Sequence, residues 1–149
     1  MIRPREWVAA QIVLLIAVVV VGGGPTFATP WWSKATGIAM IAIGFAIAVA
    51  AGRALGVAFT PSPAPNGLGE MCTTGPFRWV RHPTYLAVLI AYLGVVIVAG
   101  TWGRAALWLV MLGFFNLKVR YEERLLRSAF RAYDAYATNT GRLLPRVRS

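Results

Sequence analysis

Two short polar stretches hold the residues of this chain that are best suited to chemistry. The first, GPFRWVRHPTY at residues 75–85, contains Arg81 and the only histidine, His82. The second contains Glu122 and Glu123, which are two of the five acidic residues in the chain. A histidine or a glutamate can serve as a general base, and an arginine can bind a carboxylate through paired hydrogen bonds. Both stretches border apolar segments, where charged groups are costly and usually mark a functional site.

Each of these residues also has a simpler interpretation. Arg78 and Arg81 are suited to anchoring a membrane helix on its positive side. His82 is suited to capping a helix, and Glu122 and Glu123 are suited to pairing with nearby arginines on the same helix. We favour a single site, because the elements described next bring residues of both stretches to one end of a helical hairpin.

Four apolar runs predict the elements that position these residues. They are Trp7–Val21, Thr36–Ala51, Thr84–Ala99 and Ala105–Leu117. A membrane-spanning helix needs about 20 residues, which the first three runs approach with their flanking residues and the fourth approaches if it begins at Trp102. We therefore predict an all-α polytopic membrane protein with four transmembrane helices and a C-terminal cytoplasmic amphipathic helix. A signal peptide is the alternative for the first run, which lacks the pattern of a cleavage site.

The chain is predicted to form a single membrane-embedded domain over residues 1–149. Two structural transmembrane helices occupy residues 1–57, and a cytoplasmic loop rich in proline and glycine covers residues 58–82. A transmembrane hairpin occupies residues 83–117, and a cytoplasmic segment follows at residues 118–149. Because the turn of a helical hairpin is short, the start of its first helix and the end of its second lie together.

The distribution of positive charge favours a membrane protein over a nucleic-acid-binding protein. The net charge is +10, but in a four-helix topology only Lys34 and Arg104 fall on the side opposite to the other lysines and arginines. Positive residues accumulate on the cytoplasmic side of membrane proteins, so both termini and both polar stretches are expected to be cytoplasmic. The single cysteine, Cys72, permits no internal disulfide. We predict no metal site and no nucleic-acid partner.

The segment after residue 117 is charged but keeps a helical pattern. Leu126, Phe130 and Tyr133 recur at helical spacing, while four arginines form a stripe on another face. A basic amphipathic helix ordinarily lies on an anionic membrane surface, and Gly141 predicts the end of this helix. We therefore expect membrane lipids to be a partner of this segment.

The stretch GPFRWVRHPTY is followed along the chain by a helical hairpin, then by YEERLL, and later by LLP. This order of motifs resembles that of the integral-membrane methyltransferases. This group includes the isoprenylcysteine carboxyl methyltransferases and the phospholipid N-methyltransferases, and the similarity covers roughly residues 67–146. The resemblance implies an S-adenosylmethionine cofactor bound at the cytoplasmic face, between the hairpin and the C-terminal segment. It implies a cofactor site formed by Gly75, Arg81, His82, Pro83, Tyr85, Glu122 and Glu123 and closed by Leu144 and Pro145.

The chemistry of this cofactor agrees with these residues. Its ammonium and sulfonium groups suit two carboxylates in a site of low dielectric constant, and its own carboxylate suits Arg81 and the start of a helix. Its adenine suits an aromatic slot, for which Phe77 and Tyr85 are candidates. His82 or a glutamate is the candidate base if the acceptor is a protonated amine, whereas a carboxylate acceptor needs no base.

Asn139 departs from the pattern of this family. It stands where the eukaryotic carboxyl methyltransferases have an arginine that is assigned to the carboxylate of the substrate. Arg142 is the candidate to take over that role. We therefore name Asn139, Arg142 and His82 as the candidate catalytic residues.

We predict an integral membrane methyltransferase that moves a methyl group from S-adenosylmethionine to a lipophilic acceptor entering from the bilayer. The acceptor is left open among an isoprenylcysteine-like carboxylate, a lipid amine and another small apolar compound. One alternative is an NADPH-dependent enzyme similar to the membrane sterol reductases, whose C-terminal part has a related Arg-His-Pro pattern. The other alternative is a non-catalytic, lipid-binding membrane protein. The oligomeric state is left open.

Overall fold

The computed structural model describes residues 3–21, 24–56 and 71–146. Its five α-helices are α1 (Pro4–Val20), α2 (Trp31–Leu55), α3 (Pro83–Ala99), α4 (Trp102–Ala129) and α5 (Tyr133–Asn139). A short 3-10 helix, Gly75–Arg78, precedes α3. No β-strand is present in the described ranges, so the predicted all-α class is confirmed for them. Residues 57–70, which include the first half of the predicted cytoplasmic loop, lie outside the described residues.

By length and composition, one helix of the described ranges, α2, can cross a membrane, with 25 residues and a mean hydropathy of 2.1. The helix α3 is apolar but has 17 residues, and α1 also has 17 residues. The helix α4 is longer, but its apolar part ends at Leu117, where the charged sequence begins. The presence of four transmembrane helices therefore stays a prediction.

Glycines let α2 and α3 pack in close contact. A Cβ on Gly44 would lie 2.6 Å from the carbonyl oxygen of Ala87, and a Cβ on Gly37 would lie 2.8 Å from that of Gly94. Neither glycine can carry a side chain unless the helices separate, as is common where apolar helices meet through small residues. This contact fixes α3, whose N-terminal end carries the RHPTY sequence.

A tight turn joins α3 to α4, as the sequence predicted. Gly100 follows α3 in the left-handed conformation, with φ +64°, which glycine adopts without strain. The backbone between α1 and α2 pairs with this turn. Phe27 N–H donates to the carbonyl of Gly100 (2.8 Å), and Trp102 N–H donates to that of Pro25 (3.1 Å). At the other end of the hairpin, Pro83 occupies the first turn of α3, where its missing N–H costs nothing.

The charged C-terminal segment differs from the prediction of one separate amphipathic helix. The helix α4 continues without a break through Leu117 to Ala129, which gives it 28 residues. Residues 118–129 contain no glycine or proline and are mostly good helix formers, so nothing ends the helix there. After a short turn, α5 adds only seven residues. Glu122 and Glu123 therefore lie on the second helix of the hairpin itself, and the boundary placed between residues 117 and 118 falls inside α4.

Candidate functional site

A short backbone pairing holds the C-terminal segment against the start of α3. Arg81 N–H donates to the carbonyl of Gly141 (2.8 Å), and His82 N–H donates to that of Arg142 (3.2 Å). In return, Gly141 N–H donates to the carbonyl of Trp79 (3.2 Å). The residues that follow α5 therefore lie beside the RHP sequence, although the two segments are far apart in the chain.

Glu123 is the centre of a buried ionic cluster at this end of the hairpin. Its side chain is 1% exposed, and it accepts a hydrogen bond from Arg81 Nε at Oε1 (2.8 Å) and one from Arg142 Nη2 at Oε2 (2.9 Å). Arg81 also donates through Nη1 to the carbonyls of Ala137 (2.7 Å) and Thr140 (2.5 Å). One carboxylate thus connects α4 with the start of α3 and with the segment after α5.

Glu122 is the second carboxylate of the cluster. The Tyr85 hydroxyl donates to Oε1 of Glu122 (2.5 Å), and Nδ1 of His82 lies 3.5 Å from Oε2. The rings of His82 and Tyr85 stack with a centroid distance of 5.8 Å. Tyr85 also stacks on Phe115 of α4 at 4.8 Å. This aromatic stack holds His82 and Tyr85 against the two carboxylates.

The carboxylates control the charge of His82. Burial alone would lower the pKa of His82, but the neighbouring carboxylates of Glu122 and Glu123 raise it above its usual value. Burial alone would raise the pKa of Glu123, but His82 and the hydrogen bonds from Arg142 and Arg81 hold it well below its usual value. Glu123 is therefore ionised at neutral pH, and His82 is suited to hold and release a proton.

Four buried side-chain polar atoms of the described residues have no hydrogen-bond partner among them, and three of the four, the unpaired donors, lie in or beside this cluster. They are Nε2 of His82, the hydroxyl of Tyr133 and Nε of Arg142. Nε2 of His82 lies 3.8 Å from Oε1 of Glu123, beyond hydrogen-bonding distance, and the Tyr133 ring lies 5.7 Å from the Arg127 guanidinium. Buried polar atoms are nearly always hydrogen-bonded in proteins. Their concentration at one place fits a ligand that carries hydrogen-bond acceptors.

An apolar cavity of about 500 Å³ lies between α3 and α4 and borders the cluster. Four residues of α3 within 86–93 line it, together with the C-terminal segment 142–144. The helix α4 contributes Trp108, Leu112 and Asn116. Arg142 belongs to both compartments, because its Nη2 binds Glu123 and the residue is one of those that line the cavity.

The structure brings six of the residues named from the sequence together in this cluster. They are Arg81, His82, Tyr85, Glu122, Glu123 and Arg142. Pro83 is buried and begins α3 directly after His82. Leu144 is exposed and lines the apolar cavity, and Pro145 is exposed next to it. Leu144 therefore borders the apolar cavity, and its expected role in closing the cofactor site stays a prediction.

The remaining three named residues make other contacts. Gly75 is exposed in the 3-10 helix and faces α2. Phe77 is buried, and its carbonyl accepts a hydrogen bond from the Tyr136 hydroxyl (2.6 Å). Asn139 is exposed, and its side chain donates to a carbonyl one turn earlier in α5 (3.0 Å). Of the two residues considered for an acceptor carboxylate, Arg142 lines the cavity, whereas Asn139 is not part of its wall.

Sequence reasoning missed two residues that pack against the cluster, Lys118 and Gln11. Lys118 is fully buried, and its ammonium donates to Oε1 of Gln11 in α1. The same ammonium lies 5.1 Å from the centroid of the Tyr85 ring. The sequence carries one signal for Lys118, since it precedes Glu122 by four residues and such residues are neighbours on a helix. The role of Tyr133 was also missed, because its helical spacing indicated only an apolar face.

Comparison with known families places this chain in a family of methyltransferases. Residues 32–133, which are more than half of the chain, match the family Phospholipid methyltransferase. The match covers α3, α4 and nearly all of α2, and it ends before Arg142. The chain therefore belongs to this family of membrane methyltransferases, which confirms the resemblance inferred from the sequence.

The chain is also similar to individual proteins, one of which is named a methyltransferase. The chain is 32% identical over 119 residues to the probable protein-S-isoprenylcysteine O-methyltransferase of Oryza sativa, which is 77% of this chain and 62% of the rice protein. It is 32% identical over 79 residues to the nickel-cobalt-cadmium resistance protein NccN of Alcaligenes xylosoxydans xylosoxydans, covering 52% and 37% of the two chains. An uncharacterized protein of Schizosaccharomyces pombe is 30% identical over 80 residues, covering 50% and 23%. The chain thus spans less than two thirds of the length of these relatives.

Proposed function

We propose that this protein transfers a methyl group from S-adenosylmethionine to a lipophilic acceptor that enters from the membrane. The observation that carries the proposal is the position of Arg142, which binds Glu123 in the cluster and lines the apolar cavity. A polar pocket and an apolar pocket that meet at one side chain suit a reaction between a polar donor and an apolar acceptor. Membership of the phospholipid methyltransferase family supports methyl transfer as the reaction.

The cluster fits the methyl donor. S-adenosylmethionine carries a carboxylate, ribose hydroxyls and an adenine, and these groups supply the hydrogen-bond acceptors that the unpaired donors of the cluster need. Glu123 is already neutralised by Arg81 and Arg142. We therefore assign Glu122, rather than both carboxylates, to the cationic part of the donor, with Tyr85 fixing its orientation. When bound, the donor supplies an electrophilic methyl group on its sulfonium.

The cavity fits an acceptor that has an apolar chain. Its volume of about 500 Å³ lies in the range of pockets that hold small molecules. Arg142 supplies a positive charge at the wall of the cavity, so we assign the anionic group of the acceptor to Arg142 and not to Asn139. Positioning of the two reactants contributes most of the rate in such an in-line displacement.

The proton balance depends on the acceptor. With a carboxylate acceptor, an oxygen lone pair attacks the methyl carbon as the carbon–sulfur bond breaks, and no proton has to leave. A protonated amine must first lose a proton, and His82 beside the two carboxylates is the base for that step. Arg142 in the cavity wall favours the carboxylate acceptor, because a fixed cation there disfavours a protonated amine.

We propose that the cluster faces the cytoplasm in a protein with four membrane crossings. Trp7 of α1 stacks on Tyr121 of α4 at 5.8 Å, so the start of α1 lies at the cluster end of the hairpin. Arg3 and Arg5 therefore add positive charge to the end that already carries Arg81. Such an accumulation of arginine is typical of the cytoplasmic side.

Two measurements test the proposed function. Isothermal titration calorimetry on the detergent-solubilised protein should show binding of S-adenosylmethionine and no binding of NADPH. Incubation with a radiolabelled methyl donor should then label a prenylated cysteine or another lipophilic acid in preference to a lipid amine. Binding of NADPH in place of S-adenosylmethionine would support a reductase-like enzyme. Binding of neither compound would support a non-catalytic lipid-binding protein and contradict the proposal.

A further inference from the structure

Lys118 is a fully buried cation on α4 that the reaction proposed above does not use. Its ammonium donates to Oε1 of Gln11 in α1 and lies 5.1 Å from the centroid of the Tyr85 ring in α3. Three helices therefore meet at this one side chain. A buried ammonium is costly unless an opposite charge compensates it, and Gln11 is neutral.

Glu122 compensates this charge in part. Lys118 and Glu122 are four residues apart on α4, which places them on one face of the helix, and their charges attract each other. Tyr85 contacts both residues, since its ring lies beside Lys118 and its hydroxyl donates to Oε1 of Glu122 (2.5 Å). Lys118 thus acts on the Tyr85–Glu122 pair in two ways, through the ring of one residue and the charge of the other.

We propose that Lys118 is a positioning residue for the methyl donor, because it holds the Tyr85–Glu122 pair where Glu122 meets the cationic part of the donor. The inference rests on the proposed function, which assigns Glu122 to that donor. It also makes α1 part of the site. Gln11 accepts a hydrogen bond from the ammonium of Lys118. It lies on α1, which carries none of the six cluster residues.

A double-mutant cycle between Lys118 and Glu122 tests this role. The dissociation constant of S-adenosylmethionine is measured by calorimetry for Lys118→Met, Glu122→Gln and the double variant, with melting temperatures measured without the cofactor. Methionine keeps most of the length of lysine and removes its charge. We expect Lys118→Met to weaken binding about tenfold, and the double variant to bind no more weakly than Glu122→Gln alone.

Two further variants complete the experiment. Gln11→Leu removes the partner of Lys118 in α1 and should weaken binding in the same direction by a smaller factor. Lys34→Met, at an exposed lysine of α2, is the matched control and should leave the dissociation constant unchanged. If Lys118→Met fails to fold, restoration of folding by Glu122→Gln supports the charge pair, and a failure to restore it contradicts the pair.

The outcomes separate this inference from the proposed function. Absence of S-adenosylmethionine binding by the unmodified protein overturns the proposed function, and the inference with it. Normal binding by the unmodified protein together with equal binding by Lys118→Met overturns only the role of Lys118. Strictly additive effects of Lys118→Met and Glu122→Gln on the dissociation constant would also contradict it, because a positioning residue acts through its partner.

Discussion

The two ends of the α3–α4 hairpin each hold partly buried arginines, and these arginines have different kinds of partner. At the turn end, Arg104 donates through Nε to the carbonyl of Val18 (3.1 Å) and through Nη2 to that of Val19 (3.2 Å). These carbonyls belong to the last turn of α1, where no further helical N–H is available to donate to them. At the cluster end, Arg81 and Arg142 bind a carboxylate instead, and polar atoms around them remain unpaired.

This difference separates an end whose arginine binds only the protein itself from an end that has the features of a binding site. The guanidinium of Arg104 completes the hydrogen bonding of a helix and needs no ligand. At the cluster end, Arg81, Arg142 and Lys118 face two carboxylates, which leaves a surplus of positive charge even when the histidine is neutral. A site with unpaired donors and surplus positive charge is suited to a ligand that brings its own carboxylate.

Among substitutions at the two ends, Glu123→Gln is expected to have the largest effect on stability and donor binding. It removes the shared partner of Arg81 and Arg142. Two guanidinium groups would then remain close together without a compensating charge, and we expect a loss of about 3 kcal/mol in the free energy of unfolding. Calorimetry should show that binding of the methyl donor is lost as well. The control is Asp134→Asn, which removes an exposed ion pair with Arg127 and should cost less than about 1 kcal/mol. Equal effects of the two variants would contradict the central place of Glu123.

The next largest effect is expected from Arg142→Met, which removes the cation shared by the cluster and the cavity. The KM of an anionic acceptor should rise about tenfold, in line with the loss of a charged hydrogen bond. The dissociation constant of the methyl donor should rise by a smaller factor, since Arg81 still neutralises Glu123.

Arg142→Lys and Asn139→Ala serve as controls for that substitution. The lysine keeps the charge and should restore part of the acceptor affinity. The Asn139 side chain donates a hydrogen bond within α5 and is not part of the cavity wall. Asn139→Ala should therefore leave the KM of the acceptor unchanged. A larger effect of Asn139→Ala than of Arg142→Met would overturn the assignment of the acceptor to Arg142.

Much of the cluster could be predicted from the sequence because a short turn fixes which residues of a hairpin lie together. Pro83 gave the start of α3, and Gly100 gave the turn. With both known, Glu122 and Glu123 were expected to lie near the RHPTY sequence. The continuity of α4 was missed, because a change from apolar to charged residues was interpreted as the start of a new helix, although residues 118–129 contain no helix breaker.

The positions of Arg142 and Lys118 could not be predicted in the same way, because they depend on contacts between distant segments. Arg142 reaches the cavity only through the backbone pairing with His82 that follows α5. Lys118 is buried because α1 packs on α4 and offers Gln11 to its ammonium. A lysine in a charged helical segment ordinarily indicates an exposed face, so local sequence pointed to the surface.

A smaller effect, confined to stability, is expected from Arg104→Met at the turn end. The variant leaves the carbonyls of Val18 and Val19 without their donor, which should cost about 1 kcal/mol in the free energy of unfolding. The dissociation constant of the methyl donor should stay the same, as measured by calorimetry on the same preparation. Weakened donor binding in Arg104→Met would show that the two ends of the hairpin are not separate in function.

The smallest effect is a pH dependence of stability that the cluster end should show and the turn end should not. The pKa of His82 is raised above 6.5 by Glu122 and Glu123, so its contribution to stability is complete below pH 6.5 and is lost as the pH rises through the raised value. The pKa of Glu123 is lowered below 4.5, so its contribution is complete above pH 4.5 and is lost as the pH falls through the lowered value.

The cluster should therefore stabilise the fold most between pH 4.5 and pH 6.5. Melting temperatures in detergent across this range and up to pH 9 measure the decline on the alkaline side. His82→Asn should remove that decline, because asparagine has no proton to lose, whereas Arg104→Met should keep it. A decline of the same size in His82→Asn would mean that another group titrates, and His82 would then lose its assignment as the proton-holding residue of the cluster.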